Sequence, residues 1–206
     1  HHKGLHRDWQ RMLSAAAALG DLHSALDGFQ SNVPPVPPEM RNDLLPSECW
    51  NMLPHAERNL QNAIREQSTE SRAAEYALSR ARELLVPLLD DYERILGNLP
   101  WNFVHGDFHF WNLLYSSDDI VGIVDFDFMQ ERERIFDLAY SVQAILGYMN
   151  YIEGGARERF PSMNWNNLRM WLDTYDNTTS RALSEFERRC LPREIMRIFL
   201  VNTVVC

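Results

Sequence analysis

The stretch FVHGDFHFWNLLYSSDDIVGIVDFD, residues 103–127, decides the fold of this chain. Its runs FV, NLLY and IVGIVDF are short and rich in β-branched and aromatic residues, which is typical of strands. The turn-forming residues SSDD, at 116–119, lie between the last two runs and indicate a hairpin. Acids, histidines and an asparagine stand among these apolar residues, although burial of an unpaired charge costs several kcal/mol. The pattern therefore predicts a functional site within a small β insert.

The sequence on both sides of this stretch has the helical period. Apolar residues recur every three or four positions, as they do in helices with one buried face. A proline-rich segment at 31–40 predicts a loop. The predicted helices cover residues 5–29, 46–65, 68–96, a stretch that begins after Phe136, 164–189, and a last helix that Pro192 opens. The fold is thus predicted to be mostly α with a small β-hairpin insert.

Composition limits the class of protein. The 206 residues, 45% of them hydrophobic, can form one compact domain or two small ones. The net charge of −9 argues against nucleic acid as the main partner, because phosphate backbones require a basic face. No apolar run approaches the roughly 18 residues of a membrane span. The cysteines Cys49, Cys190 and Cys206 form neither a metal motif nor a disulfide framework, so we expect a cytoplasmic protein.

Three side chains of the β insert fit one chemistry. Asp107 and Asn112 stand in the pattern H-G-D-x-H-x-x-N, and Asp125 ends a strand in I-V-D-F-D. Phosphoryl transfer from a nucleotide needs a carboxylate that receives the acceptor's hydroxyl proton, together with hard oxygen ligands for Mg²⁺. A loop followed by a tight hairpin would bring these groups together on one edge.

HGDFHFWNLL, IVDFD and RIFDLAY, in this order, resemble the aminoglycoside phosphotransferase and choline kinase family, which includes bacterial homoserine kinases. This family has the protein-kinase-like architecture. The resemblance is strong over about 101–142 and extends weakly to AAALGDLHSAL at 15–25. It implies that Asp107 is the catalytic base and that Asn112 and Asp125 are metal ligands.

The same resemblance implies supporting roles for other residues of the motif. Leu114 and Val124 would contact the nucleotide. His105 would pack under the loop and bond to backbone, and Asp137 of the DLA segment would brace the catalytic loop through hydrogen bonds.

Several polar and aromatic residues near the motif keep two interpretations each. His109 and Asp127 are candidates for a second metal or for contact with the acceptor. Trp111 is either a lid on the loop or a packing residue. The charged segment ERER, residues 131–134, is predicted to be a solvated loop whose charges pair with one another. Trp165, Trp171 and Tyr175 are expected in helix packing, with a cover over a cationic acceptor as the other interpretation.

Several residues depart from the family pattern, and some of these departures indicate which lobe of the kinase-like fold the chain contains. Phe110 replaces the usual proline, and Gly106 replaces the arginine of protein kinases. The chain has no glycine-rich phosphate loop, and its only lysine, Lys3, precedes the first helix. We therefore expect the C-lobe of a kinase-like α+β fold, with the N-lobe absent from these residues. The expected segments are a post-hinge helix at 1–30, a helical insertion at 31–100, the catalytic loop and metal-binding hairpin at 101–135, and C-terminal helices at 136–206.

The resulting functional hypothesis is an ATP-dependent phosphotransferase that uses Mg²⁺ and phosphorylates a hydroxyl of a small molecule. An aminoglycoside, choline, homoserine or a similar amino alcohol is equally open as the acceptor. One alternative is a non-catalytic, pseudokinase-like binding module. A distant third, a binuclear metallophosphatase, rests on the D-x-H of residues 107–109 and is weakened because no histidine follows His109.

Overall fold

A computed structural model of the chain describes residues 2–29, 54–55, 58, 79, 83, 95, 97–146 and 165–205. The predicted loop at 31–40 lies outside the described residues, as does nearly all of the helices predicted over 46–65 and 68–96. In the described part the chain is mostly helical and carries small antiparallel sheets. This agrees with the predicted balance of helix and strand.

The described elements follow one another in a simple order. They are α1 (His2–Leu26), β1 (Trp101–Val104), β2 (Leu113–Ser116), β3 (Asp119–Ile123), β4 (Gln130–Glu133), α2 (Ile135–Ser141), α3 (Trp165–Thr178) and α4 (Glu185–Val205). A 3-10 turn at Phe110–Asn112 precedes β2, and a π-helical turn at Val142–Leu146 continues α2. The first helix and the strands predicted from residues 103–127 are thereby confirmed to within a few residues.

The core lies between the helices. α1 packs against α3, and α2 packs against α4. The buried apolar side chains come from α1, the catalytic loop, α2, α3 and α4, and include Met12, Leu19, Phe108, Phe136, Leu138, Trp171, Tyr175, Leu191 and Ile198. Trp171 and Tyr175 are fully buried here, which supports the packing interpretation, whereas Trp165 is exposed.

Gly20 is the point of closest approach between α1 and α3. A Cβ atom at this position would lie 2.9 Å from the Tyr175 carbonyl oxygen and would also meet Thr178 Oγ1. A helix interior normally disfavours glycine by about 0.5–1 kcal/mol relative to alanine. The close approach of the two backbones therefore explains why this position has no side chain.

The two sheets bring two loops to the same end of the hairpin region. β1 pairs with β4, with Val104 opposite Gln130, and β2 pairs with β3, with Leu113 opposite Ile123. Both pairs are antiparallel, so the end of β1 meets the start of β4 and the start of β2 meets the end of β3. The loop 105–112 and the loop 124–129 are consequently joined at both of their ends.

The prediction of a solvated loop at 131–134 is wrong. These residues form most of β4 and the start of α2, and Arg132, Glu133 and Arg134 are buried, while Glu131 alone is exposed. Arg132 Nη2 donates to Glu133 Oε1 at 2.6 Å. Arg134 instead forms a bidentate pair with Glu187, with Nε···Oε1 at 2.7 Å and Nη2···Oε2 at 3.0 Å. Pairing within the segment is therefore confirmed for Arg132 and Glu133, whereas the charge of Arg134 is buried against a partner on α4.

The single helix predicted over 164–189 is also wrong, since α3 ends at Thr178 and α4 begins at Glu185. Ser184 and Glu187 form a capping box at the start of α4: Glu187 N donates to Ser184 Oγ at 3.2 Å and Ser184 N donates to Glu187 Oε2 at 2.9 Å. Pro192 does not open a helix but lies inside α4. It removes one backbone donor from the helix, and Leu191 and Ile198 on the same helix are buried in the core.

Gly20→Ala should lower the free energy of unfolding by about 1–3 kcal/mol, because the added methyl group must push α1 away from the Tyr175 carbonyl. Urea or thermal melts of the purified variant measure this loss. Asp21→Ala, at the adjacent exposed position, is the control and should stay within about 0.5 kcal/mol of the parent protein. A Gly20→Ala protein as stable as its parent would contradict the close helix contact.

The Arg134–Glu187 pair should make the free energy of unfolding depend on pH in the acidic range. Burial acts most strongly on Glu187 and raises its pKa, but the hydrogen bonds from Arg134 and Ser184 outweigh burial, so the pKa lies below the ordinary 4.5. A carboxyl whose pKa is depressed by folding stabilises the fold above its unfolded pKa, and this contribution disappears as the pH falls through the folded pKa. Glu187→Gln should cost about 3–5 kcal/mol at neutral pH.

Unfolding free energies measured from pH 7 down to pH 3 check this. The parent protein should lose stability below about pH 4.5, and the Glu187→Gln protein should show a shallower loss over that range. Glu185→Gln alters an exposed acid in the same helical turn and should leave the profile of the parent protein unchanged. An identical profile for Glu187→Gln would refute the assignment.

Candidate active site

The carboxylate of Asp137, in the first turn of α2, holds the start of the loop 105–112, the predicted catalytic loop. Its Oδ2 accepts from the His105 amide at 2.7 Å and its Oδ1 accepts from the Gly106 amide at 2.9 Å. The side chain is completely buried. A buried carboxylate is stable only when donors surround it, so Asp137 and the loop backbone fix each other's position.

His23 on α1 supports this carboxylate from the other side. Its Nε2 lies 3.1 Å from Asp137 Oδ2, and its Nδ1 lies 2.8 Å from the Tyr175 hydroxyl on α3. An ionised carboxylate only accepts, so Nε2 is the donor, and in the neutral ring Nδ1 accepts the tyrosine proton. Sequence reasoning missed His23, and its one signal was a histidine on the buried stripe of an amphipathic helix.

Gly106 and His105 tie the catalytic loop to the loop that carries Asp125. Gly106 has φ +82°, and a Cβ there would meet the Phe128 carbonyl group, with its carbon at 2.8 Å. His105 Nε2 lies 3.0 Å from the Val124 carbonyl oxygen, and its Nδ1 accepts from the Asp107 amide at 3.3 Å. The His105 ring also lies 4.7 Å, centroid to centroid, from that of Phe126. Glycine is required at 106 because any side chain would separate the two loops.

Asp107 lies in this loop with three donors around its carboxylate. The Tyr140 hydroxyl donates to Oδ1 at 2.6 Å, and Asn112 Nδ2 donates to Oδ2 at 3.2 Å. His109 Nε2 lies 3.2 Å from the same Oδ2. Asn112 Nδ2 also donates to the Asp107 carbonyl oxygen at 3.0 Å, and this bond keeps the two ends of the segment 107–112 close together.

His109 caps the 3-10 turn with its ring. Its Nδ1 accepts from the Trp111 amide at 3.2 Å, so the proton of the neutral ring resides on Nε2 and points toward Asp107. Trp111 itself is largely exposed and packs edge-on against the His109 ring. The structure thus places His109 beside the proposed base, and Trp111 at the rim of the loop.

Asn112 and Asp125 are brought together by the backbone. The Val124 amide donates to the Asn112 carbonyl at 3.0 Å, so Asp125 follows directly after a residue bonded to Asn112. Asp125 is exposed and has φ +63°, a left-handed conformation that aspartate tolerates better than most residues. Carboxylate and amide oxygens are donors that Mg²⁺ prefers, so the chemistry of these two side chains is compatible with the predicted role as metal ligands, which stays a prediction.

Other predicted site residues lie on the same hairpin or next to it. Leu114 and Val124 are exposed apolar side chains, and Asp127 is an exposed acid two residues after Asp125. Residues 2–29, 97–146 and 165–205, with the few isolated ones described between them, contain no group of three or more His, Cys, Asp and Glu side chains arranged to hold a metal ion. A magnesium site here would therefore depend on the asparagine as well as on acids.

Comparison with known proteins assigns the chain to a family. A sequence model of the phosphotransferase enzyme family, APH, matches residues 4–171, which include α1, both sheets and α2. The chain belongs to this family. The resemblance drawn from HGDFHFWNLL, IVDFD and RIFDLAY is thereby confirmed.

A solved structure shares the kinase-like fold of this family member. It is amicoumacin kinase hAmiN in complex with AMP-PNP, Ca²⁺ and Ami, with a TM-score of 0.52 and 17% sequence identity. The alignment covers 96% of this chain and 51% of the kinase, so the chain spans about half the length of that protein. Among curated proteins none matches the chain. No helix in the described residues is long and apolar enough to cross a membrane.

Asp137→Asn should loosen the catalytic loop, because an amide offers one acceptor where the carboxylate serves two backbone donors. The His105 and Gly106 amides should exchange hydrogen faster, and the free energy of unfolding should fall by about 1–3 kcal/mol. Hydrogen exchange of the folded protein measures the first effect and denaturant melts the second. Asp173→Asn, an exposed acid on α3, is the control, and equal protection of the loop amides in both variants would contradict the brace.

Proposed function

We propose that the protein transfers the γ-phosphoryl group of ATP to a hydroxyl of a small molecule. The observation that carries this proposal is the arrangement around Asp107: a carboxylate oriented by three donors, next to an asparagine whose backbone is bonded to the segment that carries Asp125. Membership in a phosphotransferase family supports the reaction class. The amicoumacin kinase complex, which holds an ATP analogue, supports ATP as the donor.

In the proposed reaction Asp107 orients the acceptor hydroxyl and receives its proton. The acceptor oxygen forms a bond to the γ-phosphorus, and the bond from that phosphorus to the β,γ-bridging oxygen breaks, with its electron pair leaving on ADP. The proton rests on the Asp107 carboxylate and is later released to water. Little covalent work falls to the protein, so positioning and electrostatics supply most of the rate.

Asn112 and Asp125 would hold Mg²⁺ through their side-chain oxygens. When bound, the ion would offset the negative charge of the phosphates. Leu114 and Val124 would contact the nucleotide with their exposed apolar side chains. Asp127, two residues after Asp125, would hold a second metal ion or contact the acceptor. His109 is a candidate for the same roles, because its Nε2 lies 3.2 Å from Asp107 Oδ2.

We further propose that the chain represents the C-lobe of the kinase-like fold. Two two-stranded sheets and a predominance of helix fit that lobe, as does the 51% coverage of the related kinase. The nucleotide would then lie against the exposed face of the hairpin, under an N-lobe that belongs to the same protein. The intact mass of the protein as isolated tests this: a mass near 24.1 kDa would contradict a separate N-lobe in the same polypeptide.

The acceptor is proposed to be a small molecule with a hydroxyl group, and aminoglycosides, choline and homoserine are the classes to test first. A binuclear metallophosphatase is disfavoured, because such sites use further histidines and no histidine follows His109 in the sequence. A pseudokinase-like binding module would have no need of an oriented carboxylate at 107. Consumption of ATP in the presence of each acceptor class distinguishes the kinase from the binding module.

Asp107→Asn should lower kcat by about 10²–10⁴-fold, since the amide cannot receive the acceptor's proton. The amide keeps the size of the side chain but replaces one acceptor oxygen with a donor that faces Tyr140, or Asn112 and His109. The free energy of unfolding should therefore fall by about 1–3 kcal/mol, and rates are compared well below the melting temperature of each variant. ADP formation with Mg·ATP and each acceptor measures the rate. Asp119→Asn, at the exposed far end of the same hairpin, is the control and should retain full turnover. Comparable turnover in the two variants would exclude Asp107 as the base.

A further inference from the structure

Tyr140 makes the shortest contact to Asp107 among the described residues. Its hydroxyl donates to Asp107 Oδ1 at 2.6 Å, which is the range expected for an O–H donor and a charged acceptor. Tyr140 lies on α2, one turn after Asp137, which holds the backbone of the same loop. Side chains of one short helix, α2, therefore bond both to the backbone amides that precede Asp107 and to its carboxylate.

The Tyr140 ring is itself held in place. It stacks on Phe136, one turn earlier on α2, with ring centroids 6.0 Å apart. Phe136 is buried, and the Arg132 guanidinium lies over its ring at 3.6 Å from the centroid. A half-buried tyrosine with this support delivers its hydroxyl to a fixed point, at a smaller entropic cost than a free side chain.

Hydrogen-bond capacity shows what the contact achieves. A carboxylate has about four lone-pair sites, two on each oxygen. Oδ2 of Asp107 faces two donors, Asn112 Nδ2 and His109 Nε2, both at 3.2 Å. Oδ1 faces one described donor, the Tyr140 hydroxyl. Among the described donors, these contacts leave the second lone pair of Oδ1 without a partner.

We propose that Tyr140 is a positioning residue for phosphoryl transfer, which turns Asp107 so that the second lone pair of Oδ1 receives the acceptor's hydroxyl proton. This inference rests on the proposed function and adds a residue that neither the sequence motif nor the family match assigns. Tyr140 forms no bond to the substrate and transfers no proton. It acts through Asp107, so its removal should reduce turnover and leave nucleotide affinity unchanged.

The tyrosine is well suited to remain a donor. Burial raises the pKa of Tyr140 most, and the hydrogen bond and negative charge of Asp107 raise it further. The hydroxyl therefore stays protonated throughout the neutral range. A phenylalanine would preserve the stacking on Phe136 and remove this donor alone, which makes Tyr140→Phe a selective change.

The test measures kcat and KM with Mg·ATP and whichever of choline, homoserine or an aminoglycoside is turned over fastest. Tyr140→Phe should lower kcat by about 10- to 100-fold, as expected when a catalytic group loses its orientation, with KM for ATP within about twofold. Tyr115→Phe is the matched control. Tyr115 is a half-buried tyrosine on β2 whose hydroxyl has no hydrogen-bond partner among the described residues, and its removal should leave kcat unchanged.

A double variant separates positioning from a general structural effect. In the Asp107→Asn background, Tyr140→Phe should change the residual rate by less than about twofold, because the group that it positions is already lost. A further 10-fold fall in that background would show that Tyr140 acts elsewhere and would overturn the inference. All rates are measured well below the midpoint of thermal unfolding of each variant.

The outcomes distinguish the inference from the function on which it rests. If the parent protein turns over and Asp107→Asn does not, but Tyr140→Phe matches the parent, the positioning role alone is refuted. If the parent protein phosphorylates none of the acceptors and consumes no ATP, the proposed function fails and the positioning role fails with it. Loss of kcat in Tyr140→Phe, absent from Tyr115→Phe and from the Asp107→Asn background, supports both.

Discussion

The buried carboxylate of Asp137 is the interaction on which the site depends. It accepts from the amides of His105 and Gly106 and contacts His23 on the first helix. Its side chain is completely buried, so these donors must stay in place for the charge to be tolerated. A loop that would otherwise be mobile is therefore fixed by the requirement to satisfy one charge in the core.

Strand pairing also fixes the position of the loop 124–129 relative to the loop 105–112. The ladder between β1 and β4 and the ladder between β2 and β3 each join the loop 105–112 to the loop 124–129. The missing side chain of Gly106 lets the loops touch, and the Val124 amide bonds to Asn112. Backbone hydrogen bonds therefore hold the two loops side by side, without any contribution from attraction between their polar side chains.

The sequence predicted the parts of the molecule whose partners are close in the chain. The hairpin was predicted correctly, because turn residues and alternation are local signals, whereas the joint role of the polar residues in its loops stays a prediction. The buried state of Arg134 was missed, since its partner Glu187 lies on another helix. The Ser184–Glu187 capping box is also a local signal, but the helical periodicity of 164–189 was given more weight, so the break between α3 and α4 was missed. His23 could not be assigned without knowing that α1 lies beside Asp137.

The proposed phosphotransferase activity places two different requirements on the structure. A catalytic carboxylate must keep one orientation, whereas the walls of an acceptor pocket must be free to differ between substrates. Here the groups that orient Asp107, namely Tyr140, Asn112 and His109, come from α2 and from the loop itself. None of them belongs to α3 or α4. Substitutions on those later helices therefore remove none of these hydrogen bonds directly. Tyr175 and Glu187 are positions there with an indirect effect, because Tyr175 bonds to His23 behind Asp137 and Glu187 holds Arg134 at the start of α2.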